Sequence, residues 1–411
     1  MSHWKEYKLG EIAELRKEGF MPNSDMVFPY IGLEHIEPES LSLNGIGQSS
    51  DVTSQKFKFY PNDVLYGKLR PYFKKVYSPN FEGVCSTDIY VVKAKNGVNS
   101  KYLFYLFATD EFTQLANSGS TGTRMPRADW KHLSETLWNI PDLPTQTAIA
   151  SILSSLDQKI ELNNAINRNL EALAQALFKQ WFVDFNFPVD EHGNFSPFPG
   201  EMSEGQRGYK DSGGEMIESE LGMIPKGWRV GKLGDVSTLI AGGDKPKNNT
   251  PTPDNKCKFP IYSNGISNNG LQGYTDKPRI FEESVTVSAR GTIGFVCLRM
   301  QPYFPIVRLI AVIPNGSIIS SKYLYQWLKN QNISGTGTTQ QQLTVPDFSG
   351  FKILIPQIEI VKKYTLVMDS FFQTITSNIT ENQSLSKIRD TLLPKLISGE
   401  LEVKDINTVS V

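Results

Sequence analysis

Trp4-Lys5-Glu6-Tyr7-Lys8-Leu9-Gly10-Glu11-Ile12 returns later in the chain as Trp228-Arg229-Val230-Gly231-Lys232-Leu233-Gly234-Asp235-Val236. Working outward from this pair, Ser100-Lys101-Tyr102-Leu103-Phe104 returns as Ser321-Lys322-Tyr323-Leu324-Tyr325, and Gly119-Ser120-Thr121-Gly122-Thr123 as Gly335-Thr336-Gly337-Thr338. The matches keep their order, which duplication explains better than chance. Two similar but non-identical units suit a bipartite target, because each can read a different half of one object while sharing a frame.

At 411 residues the chain has room for two domains, each large enough to bury a normal core. The 24 prolines, 32 glycines and 39% apolar content fit folded, turn-rich domains and exclude wholesale disorder. No apolar run approaches the roughly 18 residues that cross a bilayer, and Met1 to Glu6 lacks the apolar core of a secretion signal, so a cytoplasmic location is expected. Cys85, Cys257 and Cys297 are scattered and odd in number, which predicts buried free thiols rather than disulfides or a thiolate metal site.

The net charge of −1 is unevenly distributed. Residues 223–357 carry 15 basic against 7 acidic side chains, whereas residues 144–222 carry 5 against 12. Residues 1–143 are nearly neutral yet gather Lys56, Lys58, Lys68, Arg70, Lys74 and Lys75 with only Asp63 among them. Such patches can contact phosphates although the total is near zero, and a solvated surface accounts for them equally well.

The pattern predicts an α+β protein: two similar α+β domains separated by two long antiparallel helices that form a coiled-coil spacer, an internal pseudo-twofold repeat. Residues 1–143 form the first domain, with a strand at Phe57–Tyr60, a strand at Asp88–Val92 and a helix over 100–110. Residues 223–357 form the second, with strands at Ser284–Ser288 and Val307–Ile313 and the matching helix over 320–330. Between them, residues 144–185 hold a helix whose seam is Ile149, Leu153, Leu156, Ile160, Asn163, Asn167, Leu170, Ala174, Leu177 and Trp181. Spacings of four and three over about 39 residues, or about 58 Å, exceed what one small domain can cover. Residues 186–222 read as an exposed acidic linker. Residues 358–401 form the second helix, with Val361, Met368, Phe372, Ile375 and Ile379 on its seam, Asn382 near its middle and Gly399 as C-cap, before a tail at 402–411. Seam asparagines weaken a coiled coil locally and fix its register.

Catalytic signatures are missing. There is no glycine-rich phosphate loop, no His-Glu-x-x-His and no Asn/Asp-Pro-Pro-aromatic motif, and the four histidines fall in unrelated contexts. Pro346-Asp347 with Lys352 resembles a nuclease motif but lacks a second acidic residue. Binding chemistry remains. Tyr66 to Lys75 interleaves cations and aromatics around a Gly/Pro turn, offering Lys68, Arg70, Lys74 and Lys75, and its counterpart Ser288 to Gly294 offers Arg290. The equivalent loops at Thr121–Arg127 and Thr336–Gln342 offer Arg124 and Arg127 in one case and Thr338, Gln340 and Gln341 in the other. Arginine matches the guanine N7 and O6 edge and glutamine the adenine N6 and N7 edge, so unlike loops imply unlike target letters. Connecting loops and solvated hairpins fit the same residues.

Taken together the chain resembles the specificity subunit of type I DNA restriction–modification systems. The resemblance rests on the twin Trp-x3-Lys-Leu-Gly-Glu/Asp starts, Ile224-Pro225-Lys226-Gly227, Ile140-Pro141, Ile355-Pro356-Gln357, Ala176 to Phe185, and Leu392 to Leu401. It covers essentially the whole chain. It implies two target-recognition domains at opposite ends of a helical spacer, each reading half of a split, asymmetric double-stranded DNA site in the major groove. It also implies that the helices dock two modification subunits, which bring S-adenosylmethionine and methylate adenine, and that restriction (translocase) subunits using ATP and Mg join them. No cofactor is then expected on this chain itself, and no membrane. The family's motifs do not mark base-reading positions, and the two seams differ after Asn382. The resulting expectation is a non-catalytic DNA reader with a built-in ruler; the rivals are a coiled-coil protein scaffold and an enzyme acting alone.

Overall fold

The computed structural model of the chain describes residues 4–23, 25–120, 122, 124–190, 207–335 and 341–404. They fall into two compact units, residues 1–164 with 378–411 and residues 165–377, so the division passes through both long helices.

In the first unit the motif around Trp4 begins a strand, Lys5–Lys8, that pairs antiparallel with Leu137–Ile140 and closes the domain on itself. The Lys8 amide is capped by Glu11, which explains the acidic residue in the motif. The main sheet has four strands in the order Ala13–Leu15, Ile89–Ala94, Val64–Gly67, Val76–Tyr77. Helix Ser100–Phe107, capped by the Asn99 side chain, buries Tyr102, Leu103 and Phe107 against it. A second sheet of five short strands includes the parallel pair Pro29–Ile31 and Gly83–Cys85.

The second unit repeats the closing strand pair and the main sheet strand for strand. Arg229–Lys232 pairs with Lys352–Ile355, and the main sheet runs Ser237–Ala241, Leu309–Pro314, Ser284–Ser288, Val296–Arg299. Helix Ser321–Lys329 is capped by Ser320. Its second sheet keeps the parallel pair, Phe259–Tyr262 with Phe304–Pro305, and departs elsewhere. One expectation shifts here: the strand starts at Leu309, not Val307, because Arg308 is left-handed (φ 70°) and Val307 is exposed.

The first long helix runs Leu143–Phe178 and continues as a π turn through Val183; the second runs Ile358–Ser398 and stops at Gly399 (φ 78°). Within the first unit they are antiparallel, with Asn163 donating to Asn382 at 2.9 Å and Arg389 to Asp157 at 2.8 Å. Ile149 and Leu153 meet Leu393, Leu396 and Ile397 in one core. Within the second unit the antiparallel pairing continues through Ala174, Phe178 and Trp181 against Tyr364, Met368 and Phe372. The apolar stripe of each helix is thus covered by the other, as the spacing predicts. Ile379 is the exception: it is 44% exposed, and Asn378 beside it is more covered.

The stretch 186–222, read as an exposed linker, enters the fold at its ends. Pro188–Val189 pairs with Arg207–Gly208, and Met216–Ser219 forms a hairpin with Gly222–Pro225. Phe187 is buried, stacked on Trp228 with ring centroids 5.5 Å apart, because the tryptophan needs an apolar partner beyond the helix end. Residues 191–206 lie outside the described residues. All three cysteines are buried and free, and no helix among the described residues is long and apolar enough to cross a membrane.

Candidate nucleic-acid interface

In each unit one hairpin of the main sheet is locked to a loop that the sequence pairs with it. In the first unit the hairpin is 68–75. Its edge is fixed by Ala128 donating to the Lys68 carbonyl at 2.9 Å and Arg70 donating to the Pro126 carbonyl at 2.7 Å. The two cation-bearing segments are therefore one surface. Arg70 and Lys74 are both left-handed (φ 53° and 48°) and bracket a 3-10 turn at Pro71–Phe73. That turn lifts Tyr72, 48% exposed, with Phe73 at a centroid distance of 4.7 Å.

The cations of this surface divide by partner. Lys74 pairs with Asp110 at 2.6 Å, Arg127 with Asp88 at 3.1 Å, and Lys75 donates to the Leu33 carbonyl. Burial lowers the pKa of Lys75. Lys68 lies over the Tyr90 ring at 5.3 Å. The guanidinium groups of half-buried Arg70 and exposed Arg124 make no hydrogen bond or ion pair among the described residues, and Tyr72 and Met125 on the same two segments are exposed. Lys56 and Lys58 are spent elsewhere: Lys56 is buried and donates to the Ser54 hydroxyl at 2.6 Å, and Lys58 pairs with Glu18 at 3.3 Å.

In the second unit the hairpin is 289–295, and the same lock recurs as Leu343 donating to the Ala289 carbonyl at 2.8 Å. Arg290 stands at its tip beside Gly291 (φ 78°), and Gln341 is exposed on the adjoining loop. Thr338 and Gln340 lie outside the described residues.

Sequence reading missed Arg308. Lys68 donates to the Asp88 carbonyl at 3.0 Å in the first unit, and Ala289 to the Arg308 carbonyl at 2.8 Å in the second, so the two positions are equivalent. One unit places a carboxylate there to hold Arg127; the other places an exposed arginine whose side chain has no partner among the described residues. A positive φ for arginine is uncommon, and that was not legible in an apparently regular strand.

Rigid turns that carry unpaired guanidinium and amide groups beside exposed aromatic rings can contact phosphates and base edges. Among the described residues no group of three His, Cys, Asp or Glu could hold a metal. The Asp347 carboxylate accepts from the hydroxyl of Thr344, the N-cap of its short helix, at 2.7 Å, and Lys352 is paired with Glu220, so both are engaged in local structure.

Residues 1–172 and 225–387 match the family model described as the type I restriction modification DNA specificity domain. The chain is 29% identical to the type I restriction enzyme HindI specificity subunit of Haemophilus influenzae, over 98% of this chain and all of that one. It is also 29% identical to the MjaIX specificity subunit of Methanocaldococcus jannaschii, over 76% of this chain and 71% of that one. The crystal structure of an S subunit from M. genitalium shares the fold, with a TM-score of 0.58 at 16% identity over 96% of each chain. The matched model describes a DNA specificity domain and covers most of both duplicated units, which places the chain in the class of DNA-specificity proteins. The chain is a member of the type I restriction–modification specificity family.

Proposed function

We propose that this chain is the non-catalytic reading subunit of a type I restriction–modification complex, acting in the cytoplasm. Each unit reads one half of a split, asymmetric double-stranded DNA site. The observation that carries this reading is the repeated lock of hairpin to loop with different contents, Arg70 and Arg124 in one unit against Arg290, Arg308 and Gln341 in the other. The same frame filled with different donors is what two unlike half-sites require. On this reading the helices receive two modification subunits, supported by the apolar side chains Leu162, Leu173, Leu366 and Ile388 that the helices leave exposed. S-adenosylmethionine, ATP and Mg belong to the modification and restriction subunits.

Binding of the full chain and its co-purifying subunits to duplex DNA tests this. Affinity should fall steeply, by about 10³-fold or more, between 50 and 200 mM salt if roughly six phosphates are contacted. A protein scaffold would show no such binding, and an enzyme acting alone would turn over without partners.

A further inference from the structure

In the second unit the loop from Ser263 to Gly270 is built more firmly than a connection requires. Asn268, Asn269 and Gly270 are consecutively left-handed (φ 49°, 51° and 81°). Asparagine and glycine are the residues that tolerate this. A side chain at Gly270 would place its Cβ 2.2 Å from the Ser263 carbonyl oxygen, while Ser263 donates to the Gly270 carbonyl at 2.8 Å and closes the loop.

Beneath it lies Arg299, only 6% exposed. Its Nε donates to the Thr286 hydroxyl at 2.9 Å, its Nη2 to the Asn269 carbonyl at 2.7 Å, and its guanidinium sits 3.6 Å from the Tyr262 ring centroid. Burying a guanidinium is costly unless its donors are satisfied, and here one of them fixes the turn. The loop is also tied to the hairpin: Asn264 donates to the Arg290 carbonyl at 2.6 Å and accepts from Ser288 at 3.1 Å. This scaffold presents Ile266, 57% exposed, and Asn268, whose amide makes no hydrogen bond among the described residues. The loop contains no carboxylate.

We propose that Asn268 and Ile266 are base-reading residues of the second unit, with Arg299 as their positioning residue, and that they read an A·T pair. An asparagine amide matches adenine N6 and N7, and an aliphatic side chain fits the thymine methyl. This rests on the reading of the second unit as a DNA reader.

The test is selection from a pool of random duplex DNA by the complex isolated from its host through a tag on the full chain. The wild type should enrich a split motif. Asn268→Gly removes the amide and favours the same backbone conformation, so it should lose preference for adenine at one position by about tenfold and keep the rest of the motif. Ile266→Ala should weaken a neighbouring thymine by a smaller factor. An Asn268→Gly complex that enriches the same motif with the same frequencies overturns the proposal while the split motif of the wild type leaves the broader function standing. A wild type that enriches no split motif overturns both.

Discussion

Arg308 and Asp88 occupy one position in a repeated frame, and the difference between them carries much of the chemistry. Asp88 pairs with Arg127, which leaves Arg70 and Arg124 as the arginines of this hairpin-and-loop surface without an ion pair among the described residues. Arg124→Ala should therefore relax one half-site only, by about 1–3 kcal/mol, read as loss of preference at a single position in DNA selection. Loss at both halves would mean a damaged fold instead. Arg308→Ala should affect the other half alone. Much of this was legible: the hairpins and their loops were marked by their cations and glutamines. Which cations face outward was not, because pairing of Lys74 with Asp110 joins segments far apart in sequence. The loop 263–270 was missed because its polar composition carries no periodicity, and its meaning comes from Arg299 beneath it.

At the scale of elements, the long helices follow from the three-and-four spacing, and their polar middle is explicit. Asn163 is fully buried and donates to Glu381 at 2.7 Å and Asn382 at 2.9 Å, while Asn382 donates to Asn164 at 2.9 Å. The Oδ1 of Asn163 has no partner among the described residues, a cost that register specificity explains. The hydrogen bonds from Asn163 and Lys159 hold the Glu381 pKa below its ordinary value. A carboxylate whose folded pKa is lowered contributes fully above the unfolded value of about 4.3 and loses that contribution as pH falls through the folded one. Glu381→Gln should thus lower the melting temperature at neutral pH, and the gap to wild type should shrink as pH falls below the unfolded value of about 4.3. A constant gap would assign the stabilisation to packing. In the second unit, Phe182 lies fully buried among Tyr323, Tyr364 and Trp228. Phe182→Ala should cost about 3–5 kcal/mol in denaturant unfolding.

For the whole molecule, the proposed function makes the duplicated units two readers joined by the long helices. Adding one heptad to each long helix, about 10 Å, should lengthen the unread gap of the DNA site by about three base pairs. An unchanged gap in selected DNA would remove the ruler from the account. The duplication itself was plain from Trp4 and Trp228, whereas the stacking of Phe187 on Trp228 was hidden by the acidic, proline-containing composition of the segment it begins.

The most direct measurement maps methylated adenines across the host genome with this gene intact and deleted. A two-part motif should be methylated when the gene is present and unmethylated when it is absent. Methylation unchanged by the deletion, or confined to one uninterrupted motif, would contradict this.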